Sequence, residues 1–260
     1  MHFLLKENII VFCGKGGVGK TSLSAAFVRL LSEMCPEKRI LAVDADPASG
    51  LSTALGIEAK ITVDDIRKEI VKNIDAGNTG AAAEVLSESE FYMMEALAEK
   101  DNISFLSIGR PEGAGCYCKV NAYLKEVITA VASNFDYIVI DGEAGIEQIN
   151  RRVIENPGTL ILVSDASQKG IKVINTIKQV ADELIESENC GVIFNRVAPS
   201  FNAEKIQLPC DVLAVIGDDN AQRENDMEGK SVFEMSLNSP VIQGAKQAIL
   251  KLFGDENEAL

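Results

Sequence analysis

The chain has 260 residues, of which 39 are acidic and 25 basic, so it carries a formal net charge of -14. This length is sufficient for one large α/β domain with a sizeable core, and the balance of apolar and charged residues is typical of a globular protein. The negative charge disfavours partners such as nucleic acid or an anionic membrane surface. Neither an apolar run of about 18 residues nor a cleavable signal pattern is present, so we expect a cytoplasmic protein without a transmembrane helix.

Short β-branched runs alternate with longer stretches of helical periodicity along the chain. The predicted strands are Asn8–Cys13, Arg39–Asp44, Ile103–Ile108, Tyr137–Asp141, Thr159–Val163, Gly191–Asn195 and Val212–Ile216. The predicted helices are Lys20–Met34, Val63–Ile74, Glu90–Ala98, Ala122–Ser133, Gln148–Ile154, Ile171–Ser187 and Val241–Phe253. Several strands are continuous apolar runs, which is typical of strands covered on both faces. The pattern therefore predicts an α/β fold with a mostly parallel, doubly wound sheet flanked by helices.

We expect this fold to form a single domain over residues 1–260, because no repeat, low-complexity tract or long linker divides the chain. The stretch from Gly56 to Ile103 is rich in Ala and Glu and is interpreted as helices inserted between the second and third strands. Residues 254–260 form an acidic tail that we expect to be frayed.

The chemistry-bearing residues are unevenly distributed. The only histidine is His2, near the terminus, which makes Ser-His or Cys-His catalysis very improbable. Six cysteines are too few and too scattered for a secreted disulfide framework. We interpret four of them as buried small hydrophobes near strand and helix ends, namely Cys13, Cys35, Cys190 and Cys210. The remaining pair, Cys116 and Cys118, has no such explanation.

A phosphate-binding loop follows the first predicted strand directly. Residues 14–21 read GKGGVGKT and fit G-x-x-x-x-G-K-[ST] in its required strand-loop-helix setting. In such a loop the glycines let successive N–H groups face phosphate oxygens, Lys20 neutralises the β- and γ-phosphates, and the Thr21 hydroxyl ligates Mg²⁺. The predicted nucleotide-binding residues here are Gly14, Lys15, Gly16, Gly17, Val18, Gly19, Lys20, Thr21 and Ser22.

Carboxylates end two further predicted strands. Asp44 and Asp46 follow the second strand, and Asp141 ends the fourth. In open parallel sheets, ligands bind at the carboxyl ends of the strands, so these side chains are expected to lie near the phosphate loop. Phosphoryl transfer requires positioning and charge neutralisation more than a strong base, so lysines, Mg²⁺ and aspartates suffice without histidine. Asp44 is equally compatible with supporting the residues that contact the nucleotide and with a purely structural role.

The lysine at position 15 gives the loop a more specific character. The sequence GKGGVGKT resembles the deviant Walker A signature of the family that contains the Min and Par partition ATPases, the nitrogenase iron protein and several metal-insertion ATPases. The resemblance implies a P-loop ATPase that forms an ATP-dependent homodimer, in which Lys15 reaches phosphates held by the partner. It also implies that Asp46 orients the attacking water, and that Asp46 and Asp141 bind Mg²⁺ through water.

The same family resemblance identifies a candidate adenine site. Asn195 ends a late predicted strand, where a side-chain amide can offer both a donor and an acceptor to the base. A second segment that contacts the base in this family aligns with Ile216, Gly217 and Asp218. Gly217 stands where the family usually carries a proline, so the packing against the base differs from the family pattern.

Cys116 and Cys118 form a C-x-C pair in a Pro- and Gly-rich segment before a predicted helix. Such spacing alone could arise from two core cysteines, but two thiols in an exposed cytosolic loop indicate metal or redox chemistry. Thiolate sites for Zn²⁺ or Ni²⁺ usually require about four ligands, and no histidine is available to complete this one. Two-fold symmetry in a homodimer would double the pair to four thiolates.

The segment GRPEGAGCYC from Gly109, together with DGEAGIEQINRR from Asp141 to Arg152, resembles the nickel-insertion ATPases of the CooC type and their AcsF-type relatives. By that resemblance residues 116–118 form a metal-binding loop that holds Ni²⁺ or Zn²⁺ at the dimer interface. ATP binding or hydrolysis then couples metal capture to delivery into carbon monoxide dehydrogenase or acetyl-CoA synthase.

Two other classes remain as alternatives. An iron–sulfur electron-transfer ATPase of the nitrogenase reductase type would carry two well-separated cysteines per subunit, which differs from a tight C-x-C pair. A metal-free partition-type ATPase would usually carry a membrane-targeting helix or a basic DNA-binding face. The helix predicted over Val241–Phe253 could be amphipathic, but it leads into an acidic segment that anionic lipid would repel.

Overall fold

A computed structural model of the chain describes residues 8–46, 48–78, 80, 84, 88–110, 118–142, 153, 157–184 and 188–254. The strands are β1 (Ile9–Gly14), β2 (Ile40–Asp44), β3 (Ala98–Lys100), β4 (Ile103–Ser107), β5 (Tyr137–Asp141), β6 (Thr159–Ser164), β7 (Asn189–Val197) and β8 (Asp211–Gly217). The helices are α1 (Lys20–Met34), α2 (Gly50–Leu55), α3 (Val63–Asp75), α4 (Ser89–Glu95), α5 (Cys118–Ala132), α6 (Gln168–Leu184), α7 (Asn220–Glu228) and α8 (Pro240–Phe253). Short 3-10 turns lie at Ala203–Lys205 and Val232–Glu234.

The eight strands form one sheet in the order β3-β4-β2-β5-β1-β6-β7-β8. Every neighbouring pair is parallel except β3 with β4. The predicted α/β fold with a mostly parallel sheet flanked by helices is confirmed. Strand β1 lies between β5 and β6, so the loop that follows it leaves the sheet at the middle of the carboxyl edge.

Two hydrophobic clusters, one on each face of the sheet, hold the helices in place. In β1, Ile10 and Phe12 belong to the cluster that includes residues of α1, α2 and α8. Val11 and Cys13 belong to the opposite cluster, with residues of α3, α5 and α6. This alternation explains why the central strands read as continuous apolar runs, since both sets of side chains are buried.

Several element boundaries differ from the predicted ones. Helix α5 begins at Cys118, four residues before the predicted start at Ala122. Helix α4 ends at Glu95, and Ala98, the last residue of the helix predicted over Glu90–Ala98, instead begins the short antiparallel strand β3. The chain turns from β3 into β4 at Asp101 (φ 54). The short helices α2 and α7 were not predicted. The predicted helix Gln148–Ile154, apart from one residue, and residues 255–260 lie outside the described residues.

The interpretation of Cys190 and Cys210 as buried small hydrophobes is wrong, because they are half-buried and form a disulfide with a Cα–Cα distance of 5.6 Å. The sheet register explains the pairing. Gly191 of β7 lies opposite Asp211 of β8, so the residues that precede them also face each other. Of the described cysteines, Cys13 and Cys35 do not take part in a disulfide. Burial raises the pKa of the Cys13 thiol to about 12, which makes it unreactive.

Within the described ranges, no helix combines the length and the apolar character that crossing a bilayer requires.

Candidate functional site

The loop between β1 and α1 lies at the carboxyl edge of the sheet. Gly17 and Gly19 adopt left-handed backbone with φ of 80° and 93°, and a Cβ on Gly17 would meet no atom within 4 Å. Lys20 is the first residue of α1 and is 6% exposed. The first turn of α1 has neither an acidic residue nor a side-chain cap, so its N–H groups are available to an anion. The loop has the geometry of a phosphate cradle.

A hydroxyl and a buried carboxylate meet beside this loop. Thr21 Oγ1 donates to Asp141 Oδ2 at 2.6 Å, and Ser24 Oγ lies 3.3 Å from Asp141 Oδ1. Asp141 ends β5 and is fully buried. Burial raises the pKa of Asp141 to about 7; the hydrogen bond from Thr21 opposes this rise and the nearby Asp44 adds to it.

The turn after β2 brings the other two aspartates to the same edge. Asp44 is paired in register with Asp141 of β5, and Ala45 N donates to Asp141 O at 3.0 Å. Asp44 is 1% exposed, and burial raises its pKa to about 6. The Asp46 carboxylate accepts a hydrogen bond from Ala48 N at 2.9 Å. The three predicted carboxylates thus share one end of two adjacent strands.

Lys15 is held by an aspartate of its own chain. Lys15 Nζ lies 2.9 Å from Asp165 Oδ2, immediately after β6. The other carboxylate oxygen of Asp165 accepts hydrogen bonds from the main chain and the hydroxyl of Ser167. Burial acts to raise the pKa of Asp165, but the hydrogen bonds from Ser167 and Lys15 outweigh it and the pKa lies below its ordinary value. A Cβ on Gly170 would collide with this carboxylate, so glycine leaves room for it.

The carboxyl end of β7 contacts the phosphate loop. Asn195 is 2% exposed and its Nδ2 donates to Val18 O at 2.9 Å. Arg196 has an unusual left-handed backbone (φ 57), and its guanidinium donates to Gly17 O at 3.0 Å. Both residues therefore hold carbonyls of the loop, and Asn195 Oδ1 accepts a hydrogen bond from Arg196 N at 3.0 Å.

The segment that ends β8 is built largely as a support. Ile216 is buried and packs against Gly244 of α8, where a Cβ would collide with it. The Asp219 carboxylate, 6% exposed, accepts hydrogen bonds from Gln222 N at 3.0 Å and Val241 N at 3.2 Å. One side chain thereby fixes the starts of both α7 and α8. Asp218 is exposed and pairs with Arg223.

Four residues in this region were not singled out from the sequence: Ser24, Asp165, Arg196 and Asp219. Two of them had a readable signal. Ser24 follows Thr21 by three positions, which places both on one face of α1. Asp165 is a polar residue that ends a buried strand, as Asp44 and Asp141 do. The contact of Arg196 depends on a strained backbone that the sequence does not reveal.

The donor set at Thr21 and Asp141 fits Mg²⁺. Nucleotide-bound Mg²⁺ takes most of its ligands from phosphates and water, so a hydroxyl and a carboxylate are sufficient from the protein. The mutual repulsion of Asp44, Asp46 and Asp141 is also relieved by a cation. No cluster of three or more His, Cys, Asp or Glu side chains able to hold a metal occurs in the part of the chain that the structure describes.

The predicted C-x-C site is described only in part. Cys116 lies outside the described residues, and so does most of the segment from Asp141 to Arg152. The backbone of Cys118 begins α5. The segment that carries the pair leaves β4 next to β2, since Ile108 N donates to Asp44 O at 2.9 Å. The C-x-C segment therefore follows a strand whose carboxyl end lies beside Asp44.

A parallel sheet with a glycine-rich loop leading from its central strand into a helix, and with lysine, threonine and aspartate side chains around that loop, defines the class of P-loop nucleoside triphosphatases. The model of the CobQ/CobB/MinD/ParA nucleotide-binding domain matches residues 9–232. The chain belongs to this family, and it is an ATPase of the MinD/ParA kind.

Individual relatives agree with this assignment. The chain is 34% identical over 250 residues to an uncharacterized ATP-binding protein of Methanocaldococcus jannaschii. This alignment covers 94% of this chain and 98% of the relative. It is 26% identical over 248 residues to the carbon monoxide dehydrogenase accessory protein CooC of Rhodospirillum rubrum, covering 87% and 90% of the two chains. The septum site-determining protein MinD of Pyrococcus horikoshii, solved with Mg-ADP, has a similar fold with a TM-score of 0.64, 22% identity and coverage of 95% and 96%.

Proposed function

We propose that this chain is an ATP-hydrolysing metallochaperone that acts as a homodimer. Cys116 and Cys118 from each subunit would bind Ni²⁺ or Zn²⁺ as cargo, and the nucleotide state of the dimer would control its capture and release. The observation that carries the proposal is at the end of β4, where Ile108 N donates to Asp44 O. Cys116 follows Ile108 by only eight positions in the sequence, and Cys118 begins α5. A change at the nucleotide edge would thus reach the thiols through a short stretch of backbone.

For hydrolysis, each residue of the edge has a distinct task. Lys20 and the N–H groups of the loop would hold the phosphates, and Asp46 would orient the attacking water. Thr21 and Asp141 would hold Mg²⁺, Asp141 through water. When bound, this ion neutralises charge on the phosphate oxygens. Asn195 and the segment from Ile216 to Asp218 would surround the adenine.

Lys15 would act across the dimer interface on the phosphates of the partner. In the free chain it is engaged by Asp165, and both side chains remain partly exposed at 30% and 32%. A surface pair of this kind contributes roughly 0–1 kcal/mol, which contact with a nucleoside triphosphate can exceed. Nucleotide binding could therefore draw Lys15 from its own chain to the partner.

The client is proposed from the relative in Rhodospirillum rubrum, which is an accessory protein of carbon monoxide dehydrogenase. By analogy the client of this chain would be carbon monoxide dehydrogenase or acetyl-CoA synthase. Two thiolates per subunit, four per dimer, match the coordination that Ni²⁺ or Zn²⁺ takes with sulfur ligands.

The test is anaerobic size-exclusion chromatography with simultaneous molar-mass and metal measurement. The protein is loaded with Ni²⁺, with and without a slowly hydrolysed ATP analogue. We expect one metal per dimer in the wild type and none in a Cys116→Ser/Cys118→Ser variant. The matched control is Cys35→Ser, which removes a thiol at the C-terminal end of α1 that belongs to no disulfide and should leave metal binding unchanged.

Two results would contradict the proposal in different ways. A dimer that forms with the ATP analogue but binds no metal would indicate a partition-type switch, as in the metal-free alternative. A bound iron–sulfur chromophore in the anaerobically purified protein would indicate the electron-transfer alternative.

A further inference from the structure

Asp44 is a charged residue that is almost completely buried, and both of its carboxylate oxygens are occupied. Oδ1 accepts a hydrogen bond from Asp46 N at 3.2 Å, and Oδ2 accepts one from Leu51 N at 3.0 Å. Both donors belong to the main chain that immediately follows β2. The side chain therefore holds the turn formed by residues 45, 46 and 48–50 through a hydrogen bond at its start and another just after its end.

The contact with Leu51 replaces a missing helix cap. Ser49 is the N-cap residue of α2, but its side chain makes no capping hydrogen bond. Asp44, seven positions earlier, supplies the acceptor instead, beside the fully buried Leu51. Ser49 also has a left-handed backbone (φ 52), a conformation that persists in a non-glycine residue only where its surroundings enforce it.

The same turn fixes the position of Asp46. Its main-chain N–H is held by Asp44, its carbonyl accepts from Ser49 N at 2.9 Å, and its carboxylate accepts from Ala48 N at 2.9 Å. The start of the turn is tied to β5 through Ala45. These hydrogen bonds leave the Asp46 carboxylate little freedom to change its direction.

We infer that Asp44 is a positioning residue for hydrolysis, which sets the direction of the Asp46 carboxylate by holding the turn at residues 45, 46 and 48–50. Its two oxygens accept main-chain hydrogen bonds and so are not placed to act on the nucleotide. This inference rests on the proposed role of Asp46 in orienting water. A carboxylate suits this role, since it can accept a hydrogen bond at each of its two oxygens.

The variant that tests this is Asp44→Asn, which preserves shape but turns one acceptor into a donor. That donor would face a main-chain N–H, so one of the two hydrogen bonds is lost. We expect kcat for ATP hydrolysis to fall about 10- to 100-fold, because a displacement of about 1 Å in a catalytic group can have an effect of this size. The KM for ATP and the affinity for a fluorescent ATP analogue should change less than about 3-fold.

A double-mutant cycle separates positioning from a general structural effect. In an Asp46→Asn background, Asp44→Asn should lower kcat no further, because its action passes through Asp46. An equal loss in both backgrounds, or an unchanged kcat in Asp44→Asn, would overturn the inference. Asp136→Asn is the control: Asp136 also accepts from a main-chain N–H, of Arg39, but at the opposite end of the strands, and kcat should be unchanged.

Amide hydrogen exchange gives a readout that is independent of Asp46. In Asp44→Asn, the amide of Asp46 or Leu51 should exchange several-fold faster than in the wild type, and unchanged exchange at both would refute the contact. If Asp46→Asn hydrolyses ATP like the wild type, the proposed role of Asp46 fails, while the exchange data still decide whether Asp44 holds the turn. Asp44→Ser, which is smaller and keeps one acceptor, serves where Asp44→Asn does not fold.

Discussion

At the residue scale, the site is dominated by carboxylates that the fold keeps in an unfavourable environment. Burial raises the pKa of Asp141 to about 7 and that of Asp44 to about 6, against an ordinary value of 3.8. Such crowding is tolerated where a cation is expected to bind. Without a bound cation, ionising these buried carboxyl groups destabilises the folded protein, so its stability should depend on pH.

We predict that the nucleotide- and Mg²⁺-free protein loses stability as pH rises from about 4 to 7. In this window the folded Asp141 still binds a proton that the unfolded chain has released, so the unfolding free energy falls with rising pH. We measure the unfolding free energy by urea denaturation at pH 5 and at pH 8. The decrease in this free energy between the two pH values should be smaller for Asp141→Asn than for the wild type, by about 1 kcal/mol or more. Asp182→Asn, at an exposed site on α6, should behave like the wild type. Equal slopes in all three proteins would contradict the prediction.

Lys15 is the second residue with a testable role. Lys15→Ala should abolish ATP turnover while retaining most of the nucleotide affinity, because the proposed contact is with phosphates of the partner. The ion pair with Asp165 is partly exposed, so its loss should change stability by less than about 1 kcal/mol. Steady-state hydrolysis and titration with an ATP analogue measure the two quantities. Lys169→Ala, at an exposed position four residues after Asp165, is the matched control and should keep wild-type turnover. Wild-type turnover in Lys15→Ala would exclude action in trans.

At the scale of elements, one aspartate organises the end of β8. Asp219→Ala should lower the unfolding free energy by about 1–3 kcal/mol, since it leaves buried N–H groups at the starts of α7 and α8 without acceptors. Its exposed neighbour allows a matched comparison, because Asp218→Ala removes only a surface pair and should cost less than about 0.5 kcal/mol. Chemical denaturation of both variants provides the measurement. Similar losses in both would show that Asp219 is not the anchor.

The long elements could be predicted from the sequence, and the short ones could not. Continuous apolar runs identified every parallel strand, because burial on both faces leaves a strong pattern. Strand β3 has three residues, and helix α2 has six, which is too short for a period to be recognised. The disulfide between Cys190 and Cys210 was missed because cysteine spacing does not specify partners, whereas sheet register does.

At the scale of the whole molecule, the topology gathers residues that are distant in the chain onto one edge. Lys15, Asp44, Asp141 and Asp165 each follow or end a different strand, and the phosphate loop lies at the centre. The rule that ligands bind at the carboxyl ends of parallel strands predicted that Asp44 and Asp141 lie near the phosphate loop, but Asp165 was not predicted. It could not predict which contacts form there, such as the engagement of Lys15 by Asp165 or the capping of α2 by Asp44, since these depend on turn geometry.

The disulfide also changes the covalent connectivity of the chain and therefore how far the chain can be extended. Cys190 and Cys210 close a covalent ring with a sequence separation of 20, and the ring contains Asn195 and Arg196, which grip the phosphate loop. Under a stretching force applied at the two termini, the chain outside the ring can straighten while the ring stays shut. At about 3.5 Å per extended residue, roughly 65 Å of contour length is withheld until the sulfur–sulfur bond is reduced. The oxidised chain thus contains a covalent loop that cannot be extended, and its fully extended length reports its redox state.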